Sequence, residues 1–566
     1  MSQLIKNAVD RRDFLRRSGL ALSTGAMMSP FGALTMGQLR AQAAGGSEMI
    51  PNPFGPLRPT LDLATGLPLL RLPPGFRYQS FGWVGDTLPG DQRTPEDHDG
   101  GAVVKVEGRM ITYIRNHEQA GGLTFPNSGT TFFDGNPAGT RNELGNFNVQ
   151  DAMDGNASGG CSRVVFDGRK VVSIEPAIGA TSNNCAGGPT PFGSWITCEE
   201  TFGPGGTTHG FALEVPAEGL ATGIPLMQMG RFEHEAIAVD PASATVLLTE
   251  DNFPTFSGVF LFVPNSAAEV FANNGYTRPD GSLIEGTLYM MAVAGQPNAV
   301  LTGELALGTS FRIESVAIPV GDGPEQVAGP PISVADVIGS APFSSFANAE
   351  GELDDGGDSR GGSISSPFVG GFRLGGAIFA RPEGAWYSNG TLFFLDTNAG
   401  FDRTGTATGI LWAYTPDPGA PQNGTLEVVY APTTRDVTDG PDNLTINPRT
   451  GTPFLCEDGS QDVQRLIAVT PSGDSFVFAE NNIILTADQI AGTTDLNGNP
   501  RVPEFVDGDF AGIAGNEPLS FTGAEWAGAS FSPDGNTLFI NVQGQGWSFA
   551  IQGPFSRLLS FNSSGF

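Results

Sequence analysis

Four stretches of the chain repeat one pattern of apolar and polar positions. A carboxylate opens each, an apolar run leads to a tight turn, and a second apolar run returns to a polar cluster. They are 235–252 (EAIAVDPASATVLLTEDN), 383–398 (EGAWYSNGTLFFLDTN), 442–458 (DNLTINPRTGTPFLCED) and 525–543 (EWAGASFSPDGNTLFINVQ). Asp-Pro, Asn-Gly, Asn-Pro-Arg-Thr-Gly and Pro-Asp-Gly are turn chemistry between β-rich runs, so each stretch predicts a β-hairpin. An antiparallel hairpin sets the start of its first strand beside the end of its second. The acids at both ends therefore gather on one rim, and the turns lie on the other. Two further hairpins follow from the same reading, 97–118 turning at Glu107-Gly108 and 185–200 ending in Cys198-Glu199-Glu200. Six antiparallel units with acids at the same end predict an all-β chain folded as a six-bladed β-propeller, which closes radially and leaves few exposed edges. Two packed β-sandwiches are the alternative, but they give no reason for the acids to share an end.

The unit ends Glu118, Glu200, Asp251, Asp396, Asp458 and Gln543 are irregularly spaced, so long loops interrupt the propeller. The Gly/Asn-rich stretch of about 119–160 is one. The largest spans about 264–378, with an acidic, Gly-rich tip at 350–358. A strand pair is expected around Phe166-Asp167-Gly168-Arg169. The expected organisation is a leader over 1–43 and a single propeller domain over 44–566. The leader carries Arg11-Arg12-Asp13-Phe14-Leu15-Arg16, of twin-arginine form, then a modest apolar stretch and Ala41-Gln42-Ala43. That is a bacterial export address read by the twin-arginine translocase. Ser29-Pro30 and Gly32 interrupt the apolar stretch, so no stable membrane anchor is expected, and the mature protein should be periplasmic or secreted.

Composition agrees with many short strands: glycine (79) and proline (43) exceed a fifth of the 566 residues. With 29 basic against 60 acidic residues the net charge is −31, which makes nucleic acid and anionic membrane poor partners. Cys161, Cys185, Cys198 and Cys456 leave room for a disulfide in an exported chain, whereas a thiolate among carboxylates is equally a soft ligand for iron.

The ring of acids reads as a metal site. Oxygen ligands in this number suit calcium, and the thiol of Cys185 extends the choice to iron. Arg381, Arg231 and His234 lie close in sequence to these acids and could meet an anion. Arg381 is the sharpest, because Arg381-Pro382-Glu383 sets a guanidinium two residues from a carboxylate on the same strand face. HExxH, GxSxG and Walker motifs are absent, and four histidines are too few for a His-rich zinc site. Asp495-Leu-Asn497-Gly-Asn499 has the start of an EF-hand loop without its sixth-position glycine, and reads as a turn.

The blocks Asn183–Glu200 (NNCAGGPTPFGSWITCEE), Gly230–Ala236 (GRFEHEA), Thr249-Glu250-Asp251-Asn252, Arg381-Pro382-Glu383-Gly384, Leu455–Gly459 (LCEDG) and Thr522–Gly535 (TGAEWAGASFSPDG) resemble the PhoX family of bacterial alkaline phosphatases. With the leader, the resemblance spans nearly the whole chain. It implies a six-bladed propeller that holds iron (Fe3+) and calcium (Ca2+) and hydrolyses phosphate monoesters outside the cytoplasm. By position, Cys185 is then the iron-ligating thiolate, Glu200, Glu235 and Glu383 further metal ligands, and Arg381 the arginine that grips phosphate. Glu118, Glu250, Asp251, Glu457 and Asp458 belong to matching motifs, with the ligand of each adjacent pair left open. Phe192 stands where the family pattern expects Trp.

The expected function is an exported metal-dependent phosphatase acting on small phosphate esters as a monomer. A calcium-dependent propeller hydrolase of lactones or phosphotriesters, needing neither thiolate nor arginine, is one alternative. A non-catalytic scaffold binding a partner on its acidic rim is another.

Overall fold

The computed structural model describes residues 46–559 apart from 90–92, 120–158, 203–208, 220, 253–256, 322–324, 338–339, 346–362, 401–406 and 513–515. The expected leader, most of the 119–160 loop and the 350–358 tip lie outside the described residues.

The six hairpins form, and each is the inner half of a blade. Blade 1 begins with His98–Glu107, blade 2 with Asn184–Pro189, blade 3 with His234–Val239, blade 4 with Pro382–Ser388, blade 5 with Pro441–Ile446 and blade 6 with Trp526–Phe531. Each of these inner strands packs against the next, and the sixth packs against the first, closing a ring. The strand pair expected around 166–169 is present as Gly159–Phe166 and Val171–Thr181, the outer half of blade 1.

Ring closure uses the N-terminal part of the chain. Arg77–Phe81 pairs with Trp547–Gln552 and becomes the outermost strand of blade 6. Leu70–Leu72 and Arg58–Thr60 extend blade 5 beyond Ser475–Asn481. Pairing Arg77–Phe81 with the last strand staples the ends of the ring with backbone hydrogen bonds.

The 264–378 stretch corrects the simple picture of an interruption. Within it, Gly286–Met290 is the fourth strand of blade 3 and Ser310–Glu314 is the outermost strand of blade 4. Helices Ala267–Asn273 and Ser366–Arg373 lie in the same stretch, capped by the hydroxyls of Ser266 and Ser365.

Apolar side chains fill the spaces between blades. Phe393, Leu395, Leu444 and Leu455 pack between blades 4 and 5; Ala102, Ile114, Trp195 and Leu213 pack between blades 1 and 2. The inner strands meet at the axis with little room. A Cβ on Gly100 would lie 2.4 Å from the Cα of Ala186, and one on Gly384 would lie 2.8 Å from the Cα of Asn443. Glycine is required at both positions by neighbouring backbone.

Candidate metal centre

Every inner strand breaks register near its start. In blade 1, His98 pairs with His117 and Gly101 with Arg115, so two residues face one. The same bulge lies between Asn184 and Gly187, His234 and Ile237, Pro382 and Ala385, and Pro441 and Leu444. A bulge re-aims side chains that regular alternation would send elsewhere. In five blades the first residue of the bulge carries an acid or a thiol: Asp99, Cys185, Glu235, Glu383 and Asp442. Blade 6 departs from this: its bulge falls between Ala527 and Ser530 and begins with Gly528, and its acid, Glu525, stands ahead of the strand.

These groups form an unbroken series of overlapping clusters at the acidic end of the ring. Asp99, Glu118 and Cys185 bring ligand atoms within 4.8 Å of one another. So do Cys185, Glu200 and Glu235; Glu235, Glu383 and Asp442; and Asp442, Asp458 and Glu525. Of the residues singled out from sequence, Cys185, Glu200, Glu235, Glu383, Glu118 and Asp458 stand in this series. Asp99, Asp442 and Glu525 join them, although the motifs did not single them out as ligands. The signal was present, since Asp442 and Glu525 open two of the hairpins and Asp99 lies near the start of another.

The register also separates the adjacent acids. Glu250 pairs directly across from His234, and Glu457 across from Pro441. Successive strand side chains point to opposite faces, so Glu250 and Glu457 turn away from the axis, where Asp251 and Asp458 face it. Glu250 accepts a hydrogen bond from the Gly258 N–H at 2.8 Å. Glu457 is gripped by Arg465 through Nε and Nη2, both at 2.7 Å, and accepts from the Asp439 N–H at 2.8 Å. Both stand outside the clusters. Asp396 lies in this outward row too, accepting from the Ala380 N–H at 3.1 Å.

Arg381 reaches the axis by a different route from the one its spacing suggests. It precedes the strand with a left-handed φ of 59°, a conformation costly for a residue with a Cβ and found where function repays it. Its Nε contacts both Asp251 oxygens at 2.9 and 3.0 Å. Nη2 lies 2.5 Å from Asp251 Oδ2 and 3.2 Å from Glu383 Oε1. The side chain is 31% exposed, against 1% for Asp251. Arg231 and His234 do other work: Arg231 Nε donates to the His209 carbonyl at 2.8 Å, and His234 stacks on Phe232 with ring centroids 3.6 Å apart.

The electrostatics call for cations. Burial raises the carboxyls of Asp99, Glu118, Glu200, Glu235, Glu383 and Glu525 well above the ordinary range, and their mutual repulsion adds to it. Burial and the same acids push the Cys185 thiol up. Two carboxylates 4.8 Å apart repel by about 3 kcal/mol at an effective dielectric of about 20. Protonation relieves that repulsion in the bare protein; bound metal relieves it and inverts the shifts. Burial also works to lower the Arg381 guanidinium, but Glu383 and Asp251 overcome it and hold the group protonated. Both oxygens of Glu235 and Oδ1 of Asp442 are buried without a hydrogen-bond partner. Such atoms are costly unless something binds them. A cation held between Glu235, Glu383 and Asp442 meets that need, so the residues present fit metal. All four cysteines are buried and free, which leaves Cys185 available to a metal.

The family model for alkaline phosphatase PhoX matches residues 52–546. The chain belongs to that family. No curated protein matches this PhoX chain. Among solved structures it is similar to a gluconolactonase from Xanthomonas campestris, at 10% identity and a TM-score of 0.35, covering 89% of this chain and 99% of the other. It is also similar to a protein of unknown function from Dyadobacter fermentans, at 9% identity and a TM-score of 0.34, covering 85% and 100%. The PQQ domain of a pyranose dehydrogenase from Coprinopsis cinerea follows at 9% identity and 0.26, covering 85% and 97%. Likenesses this distant carry no argument about what the PhoX chain does.

Proposed function

We propose that this PhoX-family chain is an exported phosphomonoesterase that uses iron and calcium. The observation that carries the reading is the guanidinium of Arg381, 3.2 Å from Glu383 at the mouth of a cage of eight carboxylates and one thiol. Oxygen donors in this number suit calcium, and the thiol adds a donor that suits iron. Cys185, Glu200, Glu235 and Glu383 would hold metal, with Asp99, Glu118, Asp442, Asp458 and Glu525 completing the donor set. Ions bound there supply Lewis acidity toward the phosphoryl oxygens.

The chain's own residues then divide the remaining work. Arg381, whose side chain is 31% exposed, would turn N–H donors to two phosphoryl oxygens on ester binding and so fix the group's orientation. Asp251 and Glu383 hold the planar guanidinium in place, so the donors are preorganised before the ester arrives.

The deciding experiment combines elemental analysis of the purified protein with turnover of an aryl phosphate and of an aryl lactone. Iron and calcium with phosphate release are expected; calcium alone with lactone turnover would overturn the reading. Export rests on Arg11 and Arg12, and replacing both with Lys should leave activity in the cytoplasm. Among the described residues, no helix is long and apolar enough to cross a membrane.

A further inference from the structure

Two amide side chains are built into the acidic ring where its pattern has carboxylates elsewhere. Asn183 immediately precedes the inner strand of blade 2. Gln543 follows Thr537–Val542 of blade 6, the position held by Glu118, Glu200, Asp251 and Asp458 in other blades. The Gln543 Nε2 donates to Asp99 Oδ2 at 2.7 Å and also to Glu118 Oε2. Asn183 Nδ2 donates to Glu118 Oε1 at 2.9 Å and to the Glu200 carbonyl at 3.2 Å, with Glu200 Oε2 at 3.5 Å. Glu118 is thus held through both oxygens, one by each amide. Asp99 and Glu200 are tied to it through the same two groups.

This arrangement matters because, beyond the Gly100 N–H that holds Asp99 Oδ1 at 2.5 Å, the two amides are the neutral donors that reach between these three acids among the described residues. Two carboxylates on adjacent blades repel, and neither can orient the other while both are ionised. A neutral amide placed between them donates to each without adding charge of either sign. It aims one lone pair of every carboxylate at itself and leaves the remaining lone pairs for a cation. Asn183 is suited to its place by backbone as well as side chain: its φ of 48° is left-handed, a conformation that Asn adopts more readily than most residues.

We propose that Asn183 and Gln543 are positioning residues that clamp Asp99, Glu118 and Glu200 into one cation-binding geometry, setting the metal affinity of the blade 1–blade 2 side of the cage. The inference rests on the metal-dependent reading above and extends it to residues that need not touch metal or substrate. Partners that orient ligating carboxylates alter metal affinity by about 10- to 100-fold when removed.

The test uses Gln543→Met, which keeps length and removes the donors, and Asn183→Gly, which removes the amide while tolerating the left-handed backbone. Calcium binding to chelator-treated full-length protein is measured by calorimetry, metal content by elemental analysis, and folding by thermal unfolding without metal. Each variant should unfold within a few degrees of wild type, yet bind its weakest-held calcium about 10- to 100-fold less tightly. Glu457→Gln, outside the cage, should bind calcium like wild type. Wild-type affinity in both variants would overturn the clamp while leaving the metal reading intact. Absence of calcium binding by the wild type would overturn both. A variant that unfolds without metal would show a purely structural role and overturn the clamp for that residue.

Discussion

Two rows of acids run around this propeller one residue apart, and they live in opposite chemical worlds. The outward row is Glu199, Glu250, Asp396 and Glu457; the axial row is Glu118, Glu200, Asp251 and Asp458. Each outward acid accepts at least one backbone N–H: Glu199 takes those of Ser182, Gly210 and Phe211 at 3.1 to 3.2 Å, and Gly258, Ala380 and Asp439 serve the others. Among the described residues, none of these four axial acids accepts a backbone N–H, although Asp99 on the blade 1 bulge accepts that of Gly100 at 2.5 Å. Glu118 and Glu200 face amides, and Asp251 faces Arg381. Fixed N–H donors pin an oxygen of each outward carboxylate and tie the start of a blade together, although Glu250 Oε1 and Asp396 Oδ2 stay unpartnered. Side-chain donors and open lone pairs leave an axial carboxylate available. The lesson is that burial alone does not mark a functional acid in this ring; the kind of donor facing it does.

The comparison breaks most sharply at the bulge. Glu235→Ala should lose bound metal and activity together, because both of its oxygens lie buried between Cys185, Glu200, Glu383 and Asp442 without a fixed N–H donor. In metal-free protein the same change should raise thermal stability, since it deletes a buried acid that has nothing to bind. A metal-free Glu235→Ala variant clearly less stable than wild type would mean that the carboxylate has a structural partner after all.

Removing metal should expose the axial row to pH. Acids whose folded pKa is raised bind protons more tightly folded than unfolded. Their contribution is therefore full below about pH 4, the unfolded value, and is lost as pH rises through the folded values. Burial raises Asp458 to about 6 and Glu118 and Glu200 well above the ordinary range, with neighbouring acids adding to each. Chelator-treated protein should thus lose melting temperature steadily between pH 5 and 8. Metal-loaded protein should not, because cations take the place of the protons. Parallel curves for the two forms would refute a cation in the cage.

Arg381 sharpens the contrast from within the axial row. Arg381→Ala should cut phosphatase efficiency by about 30- to 1000-fold, the value of roughly 2–4 kcal/mol for a charge-assisted contact in a preorganised site. Metal content should stay near normal, whereas Glu383→Ala should lower it. Arg381→Lys should recover only part of the rate, since an ammonium lacks the planar fork that spans both Asp251 oxygens. Full activity in Arg381→Ala at subsaturating substrate would remove the arginine from the reaction.

Much of this was legible in the sequence, for local reasons. A hairpin is encoded by its own turn and its own two runs, so all six inner hairpins and the acidic rim could be read from contiguous residues. What escaped depends on distant partners. Arg77–Phe81 has no turn that announces it, because its partner Trp547–Gln552 lies at the other end of the chain. Gly286–Met290 and Ser310–Glu314 are short strands recruited by blades already formed, so they read as loop. At the site, the spacing of Arg381 and Glu383 pointed to the right place by the wrong route: a left-handed residue and a bulge, rather than strand alternation, bring them together. Choosing between neighbouring acids needed the register, which a single extra residue in each strand shifts.

The smallest expected effect is also the closest comparison, because Glu457 and Asp458 differ by one position. Glu457 is fully buried against Arg465, whose side chain is 12% exposed. Glu457→Gln keeps the volume and an acceptor for the Asp439 N–H but strips the charge that Arg465 pairs with. That should cost about 1–3 kcal/mol of stability, the range for losing one partner of a buried charged hydrogen bond, with metal content unchanged. Asp458 is exposed at the mouth yet lies within 4.8 Å of Asp442 and Glu525. Asp458→Asn should leave the metal-free melting temperature almost unmoved, since no backbone donor depends on it, and should weaken metal binding instead. Stability and metal content are thus predicted to respond to opposite members of one dipeptide. If Glu457→Gln depleted metal while Asp458→Asn did not, the register would assign the pair the wrong way round, and the distinction between the two rows would fail in blade 5.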